Sequence, residues 1–459
     1  MKQRSDVPRK WSLFSLVLLI YLLAGCGYQG TTTANTGQQS QNLGIPKGSC
    51  PAAETMTDAG ASKVAYTVSW EAVGADADNN QGTSALQVSA LEVASGKLLW
   101  RKAPIKISAL YQSSIQQVVD GVLYLAGTAS QSMLVLAVDT RDGHAIWQYT
   151  QKQASVSSLS ICAGKVYLGV GGVEVLALRA SNGQVLWSHR DRNVSVSNTV
   201  VTTHAAYLVE QWQTSSGAMS SSVIALGADD GQVLWRKEQQ GLGLSLVANG
   251  SAVYVINPVP SSSPGDPMMT PVASVQALDG ESGTVIWQAK MPPNMEQITV
   301  LRVRDTLYLN GQYLLDQSQS LLVALNASNG KRLWLRQHNY NQLTILSEQD
   351  LYGYQGYAPS DDPRGKKRFC SLDGVTGKDR WCVDSLQPSL FSLSATRDTV
   401  IVEEELQPGP LTLVQNIYGV SKQDGKILWK LPWKSSLPSV QTLTLVTVVE
   451  KQSFTPLVS

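Results

Sequence analysis

The residues best equipped for covalent chemistry are five cysteines, and the first of them, Cys26, closes the run Leu23-Ala24-Gly25-Cys26. That run has the form of a bacterial lipobox, in which the cysteine thiol is lipidated and the chain is cut just before it. What precedes it fits. Lys2, Arg4, Arg9 and Lys10 stand against Asp6 alone, and an apolar stretch follows from Trp11 to Gly25. A run of about 15 residues is short of the roughly 20 that a helix needs to cross a bilayer, so residues 1–25 read as an export signal. The alternative is an ordinary small-residue cleavage site beside a coincidental cysteine. Lipidation at Cys26 places the chain outside the cytoplasm, held to the bacterial cell membrane or outer membrane.

Export also permits disulfides among the other cysteines. Cys370 and Cys382 flank Ser371 and Trp381 symmetrically about one turn, so they are expected to face each other and to bond. A closed loop of about a dozen residues is worth around 3 kcal/mol at most, which makes this a staple rather than a redox centre. Cys50 and Cys162 remain open: a bond between them, two free thiols, or a core position for Cys162.

Other chemistry is sparse. His144, His189, His204 and His338 fall at turns and strand ends in different parts of the chain, without metal-ligand spacing. No G-x-S-x-G, H-E-x-x-H or G-x-x-x-x-G-K-[ST] occurs, and GLGLSL from Gly241 lacks the third glycine of a dinucleotide loop. The run Asp76-Ala77-Asp78-Asn79-Asn80 suggests a calcium loop until Gln81 and Gln87 are found where an EF-hand needs Gly and Glu. No catalytic residue, metal or cofactor is therefore assigned. Carboxylates are plentiful, but spacing alone cannot bring two together.

The elements that must position any site come from one repeat. ALEVASGKLLW ends at Trp100, and related segments end at Trp147, Trp187, Trp235, Trp287, Trp334, Trp381 and Trp429, spaced by 47, 40, 48, 52, 47, 47 and 48 residues. A period near 47 with four short strands per unit is that of a propeller blade. In residues 155–190 the four strands read VSSLSICAG, KVYLGV, VEVLALRA and QVLWSHR, rich in β-branched and aromatic residues between turn signals. Gly96, Gly143, Gly183, Gly231, Gly283, Gly330, Gly377 and Gly425 sit where the last hairpin of each unit turns, a place that favours positive φ. A small residue such as Ala177 falls opposite the Trp. Apolar residues on both faces of the outer strand, as at Leu98 and Leu99, are expected to be covered by neighbouring blades.

The first unit has three strands before Trp100, and the missing inner strand is expected from residues 440–450, closing the ring. The expected organisation is a signal at 1–25, a flexible Gly/Thr/Gln/Ser-rich tether at 26–60, an all-β eight-bladed propeller of four-stranded antiparallel blades at 61–452, and a tail at 453–459. Without residues 1–25, 32 basic residues face 34 acidic ones. That balance gives no electrostatic footprint for nucleic acid, and a monomeric domain is expected.

Ala-x-Asp/Asn-x-x-Thr-Gly-Lys/Glu-x-x-Trp resembles the signature of pyrroloquinoline-quinone (PQQ) propeller repeats. Ala137, Asp139, Gly143 and Trp147 fit it, as do Ala277, Asp279, Gly283 and Trp287, and Ala324, Asn326, Gly330 and Trp334. Other units are looser, with Ser371 and Gly419 for Ala, and Arg179, Gly227 or Ser421 for Asp. Of the two branches sharing the signature, quinoprotein dehydrogenases hold PQQ and Ca²⁺ on the axis and typically carry a disulfide between adjacent cysteines. No two of the five cysteines are neighbours here and no C-x-x-C-H haem site occurs. The lipid-anchored, BamB-like branch is more similar in lipobox, size and repeat number, and the resemblance implies a non-catalytic scaffold; a PQQ-dependent or other loop-built oxidoreductase is the rival.

Connections between second and third strands are long and different in every unit: 71–84, 211–222, 257–273, 354–367 and 403–410. Variable loops on a rigid frame are where binding is usually built. They offer Trp212, Tyr354, Tyr357, Asp361, Asp362, Arg364, Lys366 and Lys367, with Asp76, Asp78, Asp266, Met268, Met269 and Glu403 to Glu405. Mixed charge with tyrosine suits a protein or peptide partner of the envelope.

Overall fold

The computed structural model describes residues 31–34 and most of 64–447; outside it lie 1–30, 35–63, 74–82, 258–272, 356–367, 434–439, 448–459 and short gaps of one to three residues. Among the described residues every regular element is a strand, and the strands form eight antiparallel sheets arranged as propeller blades. Blade 3 shows the unit plainly. Val156–Cys162, Lys165–Val170, Glu174–Arg179 and Val185–His189 pair in chain order from the inner to the outer edge. Blades 4 to 8, ending at Trp235, Trp287, Trp334, Trp381 and Trp429, repeat that order.

Blade 1 takes its inner strand from the other end of the chain. Val440–Thr447 runs antiparallel to Val64–Val73, with Thr447 opposite Ala65 and Thr442 opposite Trp70. The ring is thus closed by hydrogen bonds that give Val64–Val73 the inner neighbour it would otherwise lack. The described part of the tether departs from expectation: Thr31–Ala34 forms a strand antiparallel to the outer strand of blade 2, with Thr32 opposite Tyr149.

Packing between blades depends on the Trp of each repeat. Ala177 lies directly opposite Trp187, and the indole of Trp187 reaches across to blade 4, where its Nε1 donates to the carbonyl of Ala228 at 3.1 Å. The same link recurs from Trp147 to Ala180, Trp235 to Gly280, Trp287 to Ala327, Trp334 to Gly374 and Trp381 to Lys422. Gly231 shows why the turn glycine is needed twice over. Its φ is +68°, and a Cβ built there would meet Trp187 at 2.6 Å. Glycine therefore both permits the turn and forms the floor under the neighbouring indole.

A second aromatic accompanies each Trp in blades 1 to 7. Tyr66, Tyr124, Tyr167, Tyr207, Tyr254, Tyr308 and Tyr352 pack on the indoles of their own blades at centroid distances of 5.8–6.1 Å. Several share the acceptor of the indole, as where Tyr207 Oη donates to Gly280. Blade 8 has Ile401 and Gly419 opposite each other in place of the Tyr–Ala pair.

One expectation is corrected. The outer strands are not covered on both faces: Leu98 and Leu99 are 41% and 47% exposed, and Val233, Leu234, Val285, Ile286, Ile427 and Leu428 are exposed as well. Neighbouring blades cover the second and third strands, whose alternate faces are both buried, but not the outer strands at the rim.

Cys370 and Cys382 lie opposite each other in blade 7 and are joined, with Cα atoms 4.1 Å apart. Cys162, wholly buried at the end of an inner strand, is also disulfide-bonded, to a partner outside the described residues.

Candidate functional site

Antiparallel order fixes which connections share a face. Each hairpin between third and outer strands turns on one face of the disc, while the second-to-third connections and the crossings to the next blade lie on the other. The second-to-third connections therefore share a face, but they are not long in every blade: only two residues separate Ala129 from Ser132, Tyr313 from Asp316 and Gly409 from Thr412, because hydrogen bonding between the two strands carries them further than the spacing suggests. Trp212 is half-buried within the strand Ala205–Gln213, opposite Ser220, rather than in a loop. Tyr354 is likewise within Asp350–Gln355, half-buried opposite Phe369. Glu403 and Glu404 correct the expectation more sharply: both are buried in the strand Thr399–Gly409. Tyr357, Asp361, Asp362, Arg364, Lys366 and Lys367 lie outside the described residues, as do Cys26, Asp76, Asp78, Asp266, Met268 and Met269.

What the described part of this face does hold is two buried carboxylates at equivalent positions. Tyr207 is opposite Ala225, which is opposite Trp235; Ile401, Gly419 and Trp429 stand in the same relation. Three residues along the second strand from each reference point come Glu210 in blade 4 and Glu404 in blade 8. The outer strands match too, with Arg236 opposite Ile224 and Lys430 opposite Tyr418.

In blade 8 the carboxylate is satisfied. Oη of Tyr418 donates to Glu404 Oε2 at 2.6 Å, and Nδ2 of Asn416 donates to it at 3.2 Å. Burial, and then the hydrogen bond to Glu404, push the Tyr418 phenol above its ordinary range. Burial, with the charge of Glu404 as the lesser cause, does the same to Tyr354. The Lys430 ammonium lies 5.1 Å from the Tyr418 ring centroid, so charge is balanced locally.

In blade 4 the same carboxylate has other company. Ile224 stands where blade 8 has Tyr418, and Ser222 where it has Asn416. Neither oxygen of Glu210 has a hydrogen-bond partner. Blade 3 instead sends across His189, whose Nε2 is 3.7 Å from Glu210 Oε1, and Asp191. Arg236 pairs with Asp191 at 2.6 Å and with Glu210 at 3.0 Å; its hydrogen bond holds Asp191 below the ordinary carboxylate range. Spacing had separated His189 from any ligand partner. One signal was there: Glu210 falls in the phase of Ala206 and Leu208, both wholly buried, and an acid in an inward phase marks a special position.

The sequence family described as outer membrane protein assembly factor BamB matches residues 73–258 and 213–344. Among solved structures the chain is similar to BamB from Moraxella catarrhalis, with 14% identity, 71% of this chain and 92% of that one covered, and a TM-score of 0.43. It is similar also to the quinohemoprotein alcohol dehydrogenase ADHIIG from Pseudomonas putida HK5, with 14% identity, 69% and 66% covered and a TM-score of 0.46. For the quinohemoprotein alcohol dehydrogenase from Comamonas testosteroni the values are 15%, 71% and 67%, and 0.48. No curated protein matches it.

Proposed function

Because this chain belongs to the BamB family of PQQ-like β-propeller repeat proteins, whose match spans more than half of its residues, we propose that it is a membrane-tethered, non-catalytic scaffold. It acts outside the cytoplasm, is anchored through a lipid on Cys26, and binds a protein or peptide partner on the face that carries the second-to-third strand connections. The family match is the observation that carries this reading, and the name of that family points to assembly of outer-membrane proteins as the setting. Two features support it. The lipobox-like run at Leu23 to Cys26 supplies the anchor. Connections of unlike length, from two residues between Gly409 and Thr412 to the long interval between Asn257 and Ser274, supply a surface that the repeat does not dictate, held on a frame whose blades are locked together by the Trp links.

The test uses photo-reactive groups at Ser216, exposed on the tip between the second and third strands of blade 4, and at Ser328, exposed on a turn of the opposite face. In native membranes the first is expected to give a discrete crosslinked partner and the second none. Equal crosslinking from both faces would overturn the assignment of the face. Cys26→Ala is expected to release the chain from the membrane. Titration with PQQ and Ca²⁺ is expected to leave thermal unfolding unchanged and to produce no dye reduction; turnover would replace the scaffold reading with a quinoprotein one.

A further inference from the structure

Glu210 and Glu404 occupy the same place in two blades, and the comparison isolates what is unusual about blade 4. A wholly buried carboxylate is costly unless its lone pairs are met. Glu404 is met by a phenol and an amide of its own blade. Glu210 is met by neither, and Ser222 Oγ, on the residue directly opposite it and projecting from the same face of the sheet, is also buried without a hydrogen-bond partner. His189 Nε2 is another such atom. At the position of His189 blade 7 has Val383, since Val383 is opposite Phe369 as His189 is opposite Val175. Blade 4 has thus lost the phenol and the amide, keeping only the ion pair with Arg236 at 3.0 Å, and blade 3 has gained an imidazole 3.7 Å from the same carboxylate.

We propose that His189, Asp191 and Glu210 form a binding site for a divalent transition metal ion of the zinc class in the cleft between blades 3 and 4, with Arg236 as the competing cation. One donor atom from each of the three residues lies within 4.8 Å of the others. Tetrahedral bonds of about 2.0–2.1 Å require donors about 3.3–3.4 Å apart, so the 3.7 Å between His189 Nε2 and Glu210 Oε1 needs a closure of only a few tenths of an ångström. An imidazole with two carboxylates suits zinc and its neighbours, whereas calcium and magnesium prefer oxygen alone. Three protein ligands leave the fourth position open. The way in is short, because Asp191 is 36% and Arg236 43% exposed, while Glu210 is wholly buried. Arg236, on a long side chain, can swing outward as the metal takes over the neutralisation of both carboxylates. Ser222 is placed to hydrogen-bond a ligating carboxylate and orient it.

The site is independent of the scaffold reading. Its test uses the untagged full-length chain in detergent, titrated with Zn²⁺ against a chromophoric chelator and with Co²⁺ by visible absorption. One equivalent of Zn²⁺ is expected to bind, with a Co²⁺ spectrum of tetrahedral type. His189→Val, which installs the residue blade 7 carries, is expected to weaken binding by at least about tenfold while leaving thermal unfolding close to wild type. Arg236→Gln is expected to tighten binding. Ser222→Asn with Ile224→Tyr, which rebuilds the environment of blade 8, is expected to abolish it. The proposal is overturned by wild-type affinity in His189→Val, or by the absence of stoichiometric binding in both the wild type and Arg236→Gln.

Discussion

The indole of Trp429 rests on Gly96, and its Nε1 donates to the carbonyl of Val93 at 2.8 Å, across 336 residues of chain. This is the link that Trp187 makes to Gly231, but here it joins the last blade to the first. It closes the rim of the ring as Val440–Thr447 closes the centre. A Cβ at Gly96 would meet Trp429 at 2.7 Å, so the two ends of the chain are matched as closely as any two consecutive blades.

Replacing a turn glycine tests that fit. Gly231 and Gly164 both have positive φ, but a Cβ at Gly231 would meet Trp187 at 2.6 Å, whereas at Gly164 there is nothing within 4 Å. Gly164→Ala is expected to cost only about 1 kcal/mol, for backbone strain. Gly231→Ala adds overpacking and is expected to cost about 2–4 kcal/mol in all. Urea midpoints of the two variants measure the difference, and equal losses would remove the indole from the explanation.

Deleting residues from 440 onward leaves Val64–Val73 without its inner neighbour. An unpaired strand edge templates association. The truncated chain is expected to show a concentration-dependent rise in light scattering while the full chain does not.

The cysteines give a covalent prediction. With Cys370 and Cys382 joined, Cys26 and Cys50 remain as partners for Cys162, and lipidation at Cys26 leaves Cys50. Non-reducing peptide mapping is expected to find a Cys50–Cys162 bond; a Cys26–Cys162 peptide would contradict the lipid anchor. Replacing Cys370 and Cys382 by Ala is expected to lower stability by about 3 kcal/mol or less.

His338 predicts a pH dependence. It is buried, with Nε2 3.0 Å from Asn310 Oδ1, and burial, followed by the charge of Arg336, lowers its pKa from 6.5 to about 4. The folded state therefore resists a proton that the unfolded chain accepts. Its contribution is fully present above pH 6.5 and is lost as the pH falls toward 4, by about 3 kcal/mol. The urea midpoint is expected to decline over that window, and His338→Gln to flatten the decline.

The repeat was legible because its signals are local. Trp and Gly recur at fixed offsets around one hairpin, and strand length, turn chemistry and the Ala177–Trp187 pairing all lie within a dozen residues of each other. The tyrosine partners recur just as regularly, one per blade from Tyr66 to Tyr352, but their contact with Trp spans two strands and cannot be seen from spacing. Loop boundaries misled for a related reason. Trp212 and Glu403 look polar or amphipathic enough for a loop, yet hydrogen bonding to the neighbouring strand carries the second strand past them.

By itself the sequence determined the number of blades, the turn that each glycine makes and the direction in which the ring must close, since each follows from residues near one another in the chain. Only the tertiary structure decided that His189 and Asp191 of one blade meet Glu210 of the next, and that Glu404 is satisfied where Glu210 is not. Those groups come together through the packing of separate sheets, and the distance across that cleft depends on blade angle and strand register, which no spacing along the chain encodes.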